Sequence, residues 1–320
     1  MNRVRFGRTE ALVSSVSLGT WSYGGPSISG ETSVGWSGHN DQSAREALIE
    51  AYSAGINHWD TADVYGNGHA ETILGSVWGE VPRDHIFLAS KVGYDKGEYP
   101  HYYHPRQIRS QIERSLRNLN TDVIDLHYFH HCDFGDEDRY LDGALEEMHK
   151  AKVEGKIRFI GLSDWQSENI VRVVSRVDPD AVQPYRNVAD DHYASSGLQS
   201  WVEENDCGVA FFSPLKHGLL LGKYAEPVHF PEGDFRKNIP DFTDQVALTR
   251  VLKAANGLRR RFGDHREPVL HALVGALLSG VNNACVLLGM RNRGQVQSAS
   301  AAGEALSLSD ADWVKSLYQI

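Results

Sequence analysis

Four residues in this chain carry side chains that can deliver a proton together. Asp60 and Tyr65 lie in GINHWDTADVYGNG, Lys91 ends IFLASK, and His130 ends VIDLHYFH. They supply a carboxylate, a phenol, an ammonium and an imidazole. A phenol alone is a poor acid near neutral pH, with an ordinary pKa of ~10. A close ammonium favours the phenolate and is expected to lower that value. The carboxylate can anchor the ammonium, and the imidazole can orient the group that takes the proton. Each of the four stands at or just after the end of a strand-like run.

Those runs set the frame. Short β-rich segments at 16–20, 56–60, 86–91, 123–130, 157–163, 181–184, 208–213 and 285–289 alternate with helical patterns. In residues 107–119, Ile108, Ile112, Leu116 and Leu119 share one helical face, and Pro105 suits the first turn. Residues 140–153, 166–176 and 246–262 behave similarly. Eight strands, each followed by a helix, predict a (β/α)8 barrel of the TIM type, one domain over 1–320. An apolar fraction of 41% is ample for its core. The opening RVRFGRTEALVSS predicts a β-hairpin capping the barrel floor, with GRTE as its turn. The closing SLSDADWVKSL predicts an additional C-terminal helix with Ser309 as N-cap. In such a barrel the C-terminal strand ends share one mouth, so the four residues are expected to converge there. Two long stretches, 22–42 and 214–245, interrupt the alternation, and the second reads as a lid.

Composition excludes several classes. Lys and Arg number 32 against 42 Asp and Glu, a net charge of −10, which repels nucleic acid and anionic membrane. Neither is expected as a partner. Cys132, Cys207 and Cys285 are scattered and form no CxxC. That suits a reducing cytosol and predicts a cytoplasmic protein without disulfides or a zinc site. The N-terminus shows no signal-peptide apolar stretch, and no apolar run approaches ~20 residues. His127, His130, His131, Cys132 and Asp133 look at first like metal ligands. Strand alternation puts 126, 128 and 130 on one face and 127, 129 and 131 on the other. No metal is therefore expected. His127 reads as packing between barrel and helices, and His131 and Cys132 as lining of the mouth. Trp21, Tyr94 and Trp165 also read as mouth residues, whereas Trp59, beside the inward Asp60, reads as packing outward.

The DTADVYG segment, taken with Lys91 and His130, resembles the aldo-keto reductase family. The likeness runs from FGRTEALVSSVSLGTW to LLGMRNRGQV. It implies an oxidoreductase that moves a hydride between a nicotinamide and a carbonyl or alcohol substrate (aldehyde, ketone or sugar). Tyr65 would be the general acid or base, Lys91 paired with Asp60 would tune it, and His130 would position the carbonyl oxygen. No GxGxxG occurs, so the pyrophosphate must be held by loops after strands seven and eight. In FFSPLKHGLLLGKY the resemblance assigns Phe212 to nicotinamide stacking. Ser213, Pro214, Leu215, Gly218, Leu219, Gly222 and Lys223 would line the nucleotide. In LLGMRNRGQV it assigns Gly289, Arg291, Arg293 and Gln295. Guanidinium forks suit a 2′-phosphate, which favours NADP(H), with NAD(H) as the other possibility. The chain departs from the family pattern at Gly289–Met290, usually Lys-Ser, at Gln295, usually Arg, and at Ala299, usually Asn. Ser163, Asp164 and Gln183 are the expected carboxamide contacts, and Thr20 and Trp21 complete the cofactor set. The same fold also serves as a redox-sensing regulatory subunit, and a metal-dependent barrel isomerase or hydrolase is the third reading. A homo-oligomer is compatible with all three.

Overall fold

Strands β1 (Arg3–Arg5) and β2 (Leu12–Ser14) pair antiparallel across a 3-10 turn at Gly7–Thr9. This hairpin closes the barrel floor, as expected. Phe6 is fully buried among barrel-interior side chains, edge-on to Phe87 at 5.8 Å. The turn must lie flat against the barrel. A Cβ on Gly7, whose φ is +53°, would stand 2.3 Å from the Gly208 nitrogen. Only glycine satisfies both demands.

The structure, a computed structural model, describes Met1–Tyr318; residues 319–320 of the expected domain range lie outside the described residues. Barrel strands β3 (Val16–Gly19), β6 (His58–Asp60), β7 (Phe87–Val92), β8 (Ile124–Phe129), β9 (Ile157–Asp164), β10 (Ala181–Pro184), β11 (Gly208–Phe211) and β12 (Ala284–Gly289) close in sequence order, all parallel. Between β3 and β6 lies a minimal hairpin, β4 (Ile28–Ser29) with β5 (Thr32–Ser33). The eight runs read from sequence are these eight strands, with ends shifted by at most two residues and 181–184 matched at both ends. The helices are α1 (Asp41–Ser53), α2 (His69–Gly75), α3 (Pro105–Asn118), α4 (Leu141–Val153), α5 (Ser167–Val177), α6 (His192–Ser195), α7 (Leu198–Glu204), α8 (Gln245–Arg261), α9 (Pro268–Leu278), α10 (Arg293–Ser300) and α11 (Leu308–Tyr318).

Local chemistry explains the helix starts. Asn40 caps α1 by accepting from the Ser43 amide at 2.8 Å, and Asn292 caps α10 through the Gln295 amide at 3.0 Å. Pro105 opens α3, where a missing N–H costs nothing. One cap differs from expectation. The helix α11 begins at Leu308, and the Ser307 hydroxyl accepts from the Asp310 amide at 3.1 Å. Ser307, not Ser309, is its N-cap.

Alternation fixes what each strand end presents. In β6, His58 and Asp60 face inward while Trp59 faces the helices and stacks on Trp78 at 5.8 Å. In β7, Phe87 and Ala89 point into the barrel, and Lys91 follows on the same face. Among the described residues, no helix is long and apolar enough to cross a membrane.

Candidate active site

Asp60 pairs in register with Ala89, so Lys91 stands two residues further toward the mouth. Its side chain turns back to Asp60. The Lys91 ammonium forms a buried ion pair with Asp60 Oδ1 and donates to the Thr61 carbonyl at 2.7 Å. It lies 3.4 Å from the Tyr65 hydroxyl. Asp60 Oδ2 accepts from Gln183 Nε2 at 2.8 Å. His130, one residue past β8, sets its ring edge-to-face with Tyr65 at 5.7 Å between centroids. All four residues expected at the strand ends therefore meet on one floor.

The electrostatics there differ from the sequence expectation. Burial holds the Tyr65 phenol well above its ordinary value, and the Asp60 charge adds to this. Lys91 does not reverse it, because Asp60 neutralises the ammonium at contact distance. Burial lowers Lys91 itself, against the pull of Asp60. Tyr65 is thus a protonated phenol beside an ion pair, not a phenolate in waiting. Burial, followed by the Lys91 charge, pushes His130 well below its ordinary value. It is a neutral imidazole, and its Nδ1 has no hydrogen-bond partner.

Above this floor opens a cavity of about 980 Å3. Asp60, Tyr65 and His130 line it, with Lys91 buried directly behind. Of the residues expected to hold a nucleotide, Thr20, Trp21, Ser163, Gln183, Phe212, Ser213, Pro214, Leu215, Gly218 and Lys223 line it too. So do Gly289, Arg291 and Gln295 at the far end. Tyr94 and Trp165 join the wall, as expected of mouth residues.

Four residues of that set do not face the cavity. Asp164 turns away, accepting from the Cys132 amide at 2.8 Å with one oxygen and from the Gln166 amide at 2.9 Å with the other. It ties the β8 loop to the start of α5. Leu219 packs with Phe242 and Leu248 in a small apolar cluster. Gly222 ends a 3-10 segment so close to α8 that a Cβ would stand 2.4 Å from the Ala255 methyl. Arg293 reaches outward to Glu46 of α1 at 3.5 Å, with 60% of its side chain exposed. His131 and Cys132 are also absent from the wall. The His131 ring is fixed by the Gly93 carbonyl at 2.6 Å, and Cys132 is buried below. His127 is buried behind the strand, away from His130, with neither ring nitrogen bonded.

Sequence reasoning missed much of the roof. Trp36, His217, Phe235, Arg236, Arg259 and Glu267 line the cavity. The first long loop crosses over to the second: Asp234 Oδ2 accepts from the Ser37 amide at 2.9 Å and hydroxyl at 2.6 Å. Arg291 Nη1 donates to the Ser37 carbonyl at 2.8 Å, so a cavity cation also holds this strap. Ser213, Lys216 and His217 hold φ of +55°, +45° and +58°. Such backbone costs about 1–3 kcal/mol per residue. The packing of the His217 ring against Trp21, Trp36 and Phe235 offsets it. The run KHG after a strand was the available signal, since glycine marks a left-handed turn.

The family model described as "Aldo/keto reductase family" matches residues 15–316. The chain is 33% identical to aldo-keto reductase yakc [NADP(+)] of Schizosaccharomyces pombe over 64% of this chain and 62% of that protein. That match spans less than two thirds of the yeast protein. Identity to aldo-keto reductase YhdN of Bacillus subtilis is 29%, over 90% of this chain and 84% of that one. An NADH-specific methylglyoxal reductase of Escherichia coli is 28% identical over 69% of this chain and 70% of its own length. The solved glycerol dehydrogenase of Gluconobacter oxydans superposes with a TM-score of 0.80 at 27% identity, covering 98% of this chain and 94% of that one. The chain belongs to the aldo-keto reductase family of NAD(P)H-dependent oxidoreductases.

Proposed function

We propose that the protein is an NADP(H)-dependent carbonyl reductase in which Tyr65 is the general acid. One observation carries this reading: the Lys91–Asp60 pair lies buried at the cavity floor, with the ammonium 3.4 Å from the Tyr65 hydroxyl. The residues present fit a nicotinamide dinucleotide. Phe212, an aromatic able to stack on a nicotinamide, lines the cavity together with Gln183 and Ser163. Away from the floor, the charged residues of the wall are Lys223, Arg236, Arg259, Arg291 and Glu267. Arg236 is paired with the buried Asp234, which leaves Lys223, Arg259 and Arg291 against Glu267, an excess of cations that supports an anionic nucleotide. Burial, then the neighbouring Arg236 charge, lowers Arg291 from its ordinary value. A guanidinium so placed gains from a phosphate, and this supports a 2′-phosphate contact at Arg291.

When bound, the nicotinamide supplies the hydride. The chain's own part is to orient the carbonyl and give it a proton. The Tyr65 hydroxyl, held protonated by burial, donates to the carbonyl oxygen in reduction. Neutral His130 presents a ring N–H to the same oxygen and fixes the carbonyl's orientation. Lys91, anchored by Asp60, stabilises the negative charge left on the phenol, and Gln183 holds Asp60 in place. The indole walls of Trp21, Trp36 and Trp165 exclude water and favour neutral aldehydes, ketones or sugars. The role of Lys91 in tuning Tyr65 therefore differs from the sequence expectation: the ammonium acts on the product of proton transfer rather than on the resting phenol.

Mixing the protein with NADPH or NADH in EDTA should quench tryptophan emission, more tightly with NADPH. Adding 4-nitrobenzaldehyde should then consume the reduced cofactor. Binding without turnover of aldehydes, ketones or sugars would favour a regulatory subunit instead.

A further inference from the structure

Outside the cavity, the fold gathers two imidazoles and a carboxylate. His39 and Asp41 flank the Asn40 cap of α1, and His69 opens α2. Nε2 of His69 lies 2.9 Å from Asp41 Oδ1, and Nε2 of His39 contacts the same oxygen. The three ligand atoms all lie within 4.8 Å of one another. The two rings stand at 88°, centroids 5.6 Å apart, each with Nε2 turned to the common point. His39 is mostly buried against Tyr23, with 12% of its side chain exposed.

We propose that His39, Asp41 and His69 bind a borderline divalent cation, Zn2+ being the prime candidate, with a fourth position open to solvent. Two imidazole nitrogens and one carboxylate oxygen are a donor set that suits zinc. Ligand atoms about 2.0–2.2 Å from a tetrahedral ion lie roughly 3.3 Å apart, and the His69–Asp41 spacing is already close to that. Binding requires each ring to carry its proton on Nδ1, which frees the Nε2 lone pair. It breaks no interaction other than the two hydrogen bonds it replaces.

The position gives the cation a consequence. Residues between Trp21 and Trp36 supply a wall of the cavity, His39 follows three residues later, and His69 lies four residues beyond Tyr65. These two segments already meet where the Trp21 and Tyr65 rings stack at 6.1 Å and where a Cβ on Gly24 would stand 2.4 Å from the Gly66 nitrogen. A cation at the triad replaces the two hydrogen bonds to Asp41 with coordination bonds, fastening the first long loop more firmly to the segment that carries Tyr65. The proposal is independent of the redox reading, since it rests on residues that do not line the cavity.

The test is calorimetric titration of the EDTA-treated, cofactor-free full chain with ZnCl2, alongside His39→Gln, His69→Gln and Asp41→Asn. The expected result is one equivalent of Zn2+ per chain, a melting temperature raised by Zn2+, and a loss of affinity of roughly tenfold or more in each variant. Unchanged melting of the zinc-free variants establishes that they fold; should one fail, the other two decide. Absence of saturable binding to the wild type, or full affinity in any folded variant, overturns the proposal and leaves a hydrogen-bonded triad only.

Discussion

The floor and the roof of the cavity are built on different principles. At the floor, Asp60, Lys91 and His130 sit on or beside barrel strands whose register is shared around the closed sheet. Moving any of them means moving the barrel. At the roof, Trp36, His217, Phe235 and Arg236 come from two long loops joined by Ser37–Asp234 and Arg291–Ser37 hydrogen bonds. Those ties can open without disturbing a strand. The division suits an enzyme that must hold a proton donor rigidly and still exchange a large nucleotide. It also separates what a substitution should do: floor changes affect chemistry and stability, roof changes affect binding.

The largest effect is expected from the ion pair. Lys91→Met leaves Asp60 buried without its cation, and breaking such a pair typically costs roughly 3–5 kcal/mol. Chemical denaturation should show that loss, and turnover should fall with it. A variant of wild-type stability would mean that the floor is less dry than the 1% and 5% side-chain exposures of the pair imply. At the roof, Arg291→Ala should leave stability nearly intact and weaken NADPH about tenfold or more, near the ~1.5–3 kcal/mol of a charged hydrogen bond. NADH should weaken far less. Equal losses for both cofactors would show that Arg291 does not read a 2′-phosphate. The smallest effect separates the two directions of reaction. Because burial raises the Tyr65 phenol, its protonated form persists through neutral pH and is lost only as pH climbs past that raised value. Reduction measured from about pH 6 to about pH 9 should be nearly flat, while alcohol oxidation, which needs the deprotonated form, should rise across the same range. A fall in reduction centred near neutrality would mean that the phenol is lowered, as the bare sequence suggests.

The same division marks what the sequence made legible. Parallel strands covered on both faces are continuous apolar runs, so all eight stood out, and strand alternation correctly turned Asp60 inward and Trp59 outward. The stripe Ile108, Ile112, Leu116 announced α3. The helix α9 went unread because it is apolar all round, every residue from Val269 to Leu278 being buried, and an unstriped helix has no 3.6-residue signature. Placement of Asp164, Leu219, Gly222 and Arg293 failed for another reason. Asp164 ends β9, Leu219 and Gly222 lie in or at the end of a 3-10 segment, and Arg293 opens α10; at such element ends no sequence periodicity fixes which way a side chain faces. The phenol's electrostatics failed because sequence adjacency shows an ammonium near a phenol but not how closely a carboxylate cancels it. The His39–Asp41–His69 cluster was hidden by the gap in sequence between its members.

The floor's central claim is that Tyr65 gives up the proton. Tyr65→Phe removes that hydroxyl and little else, since it holds no nucleotide in this reading. The measurement is kcat for aldehyde reduction beside the NADPH dissociation constant on the same variant. The account predicts a fall in kcat of about 10²-fold or more, the range general acids supply, with cofactor affinity unchanged. Aldehyde reduction at the wild-type rate by Tyr65→Phe would contradict it.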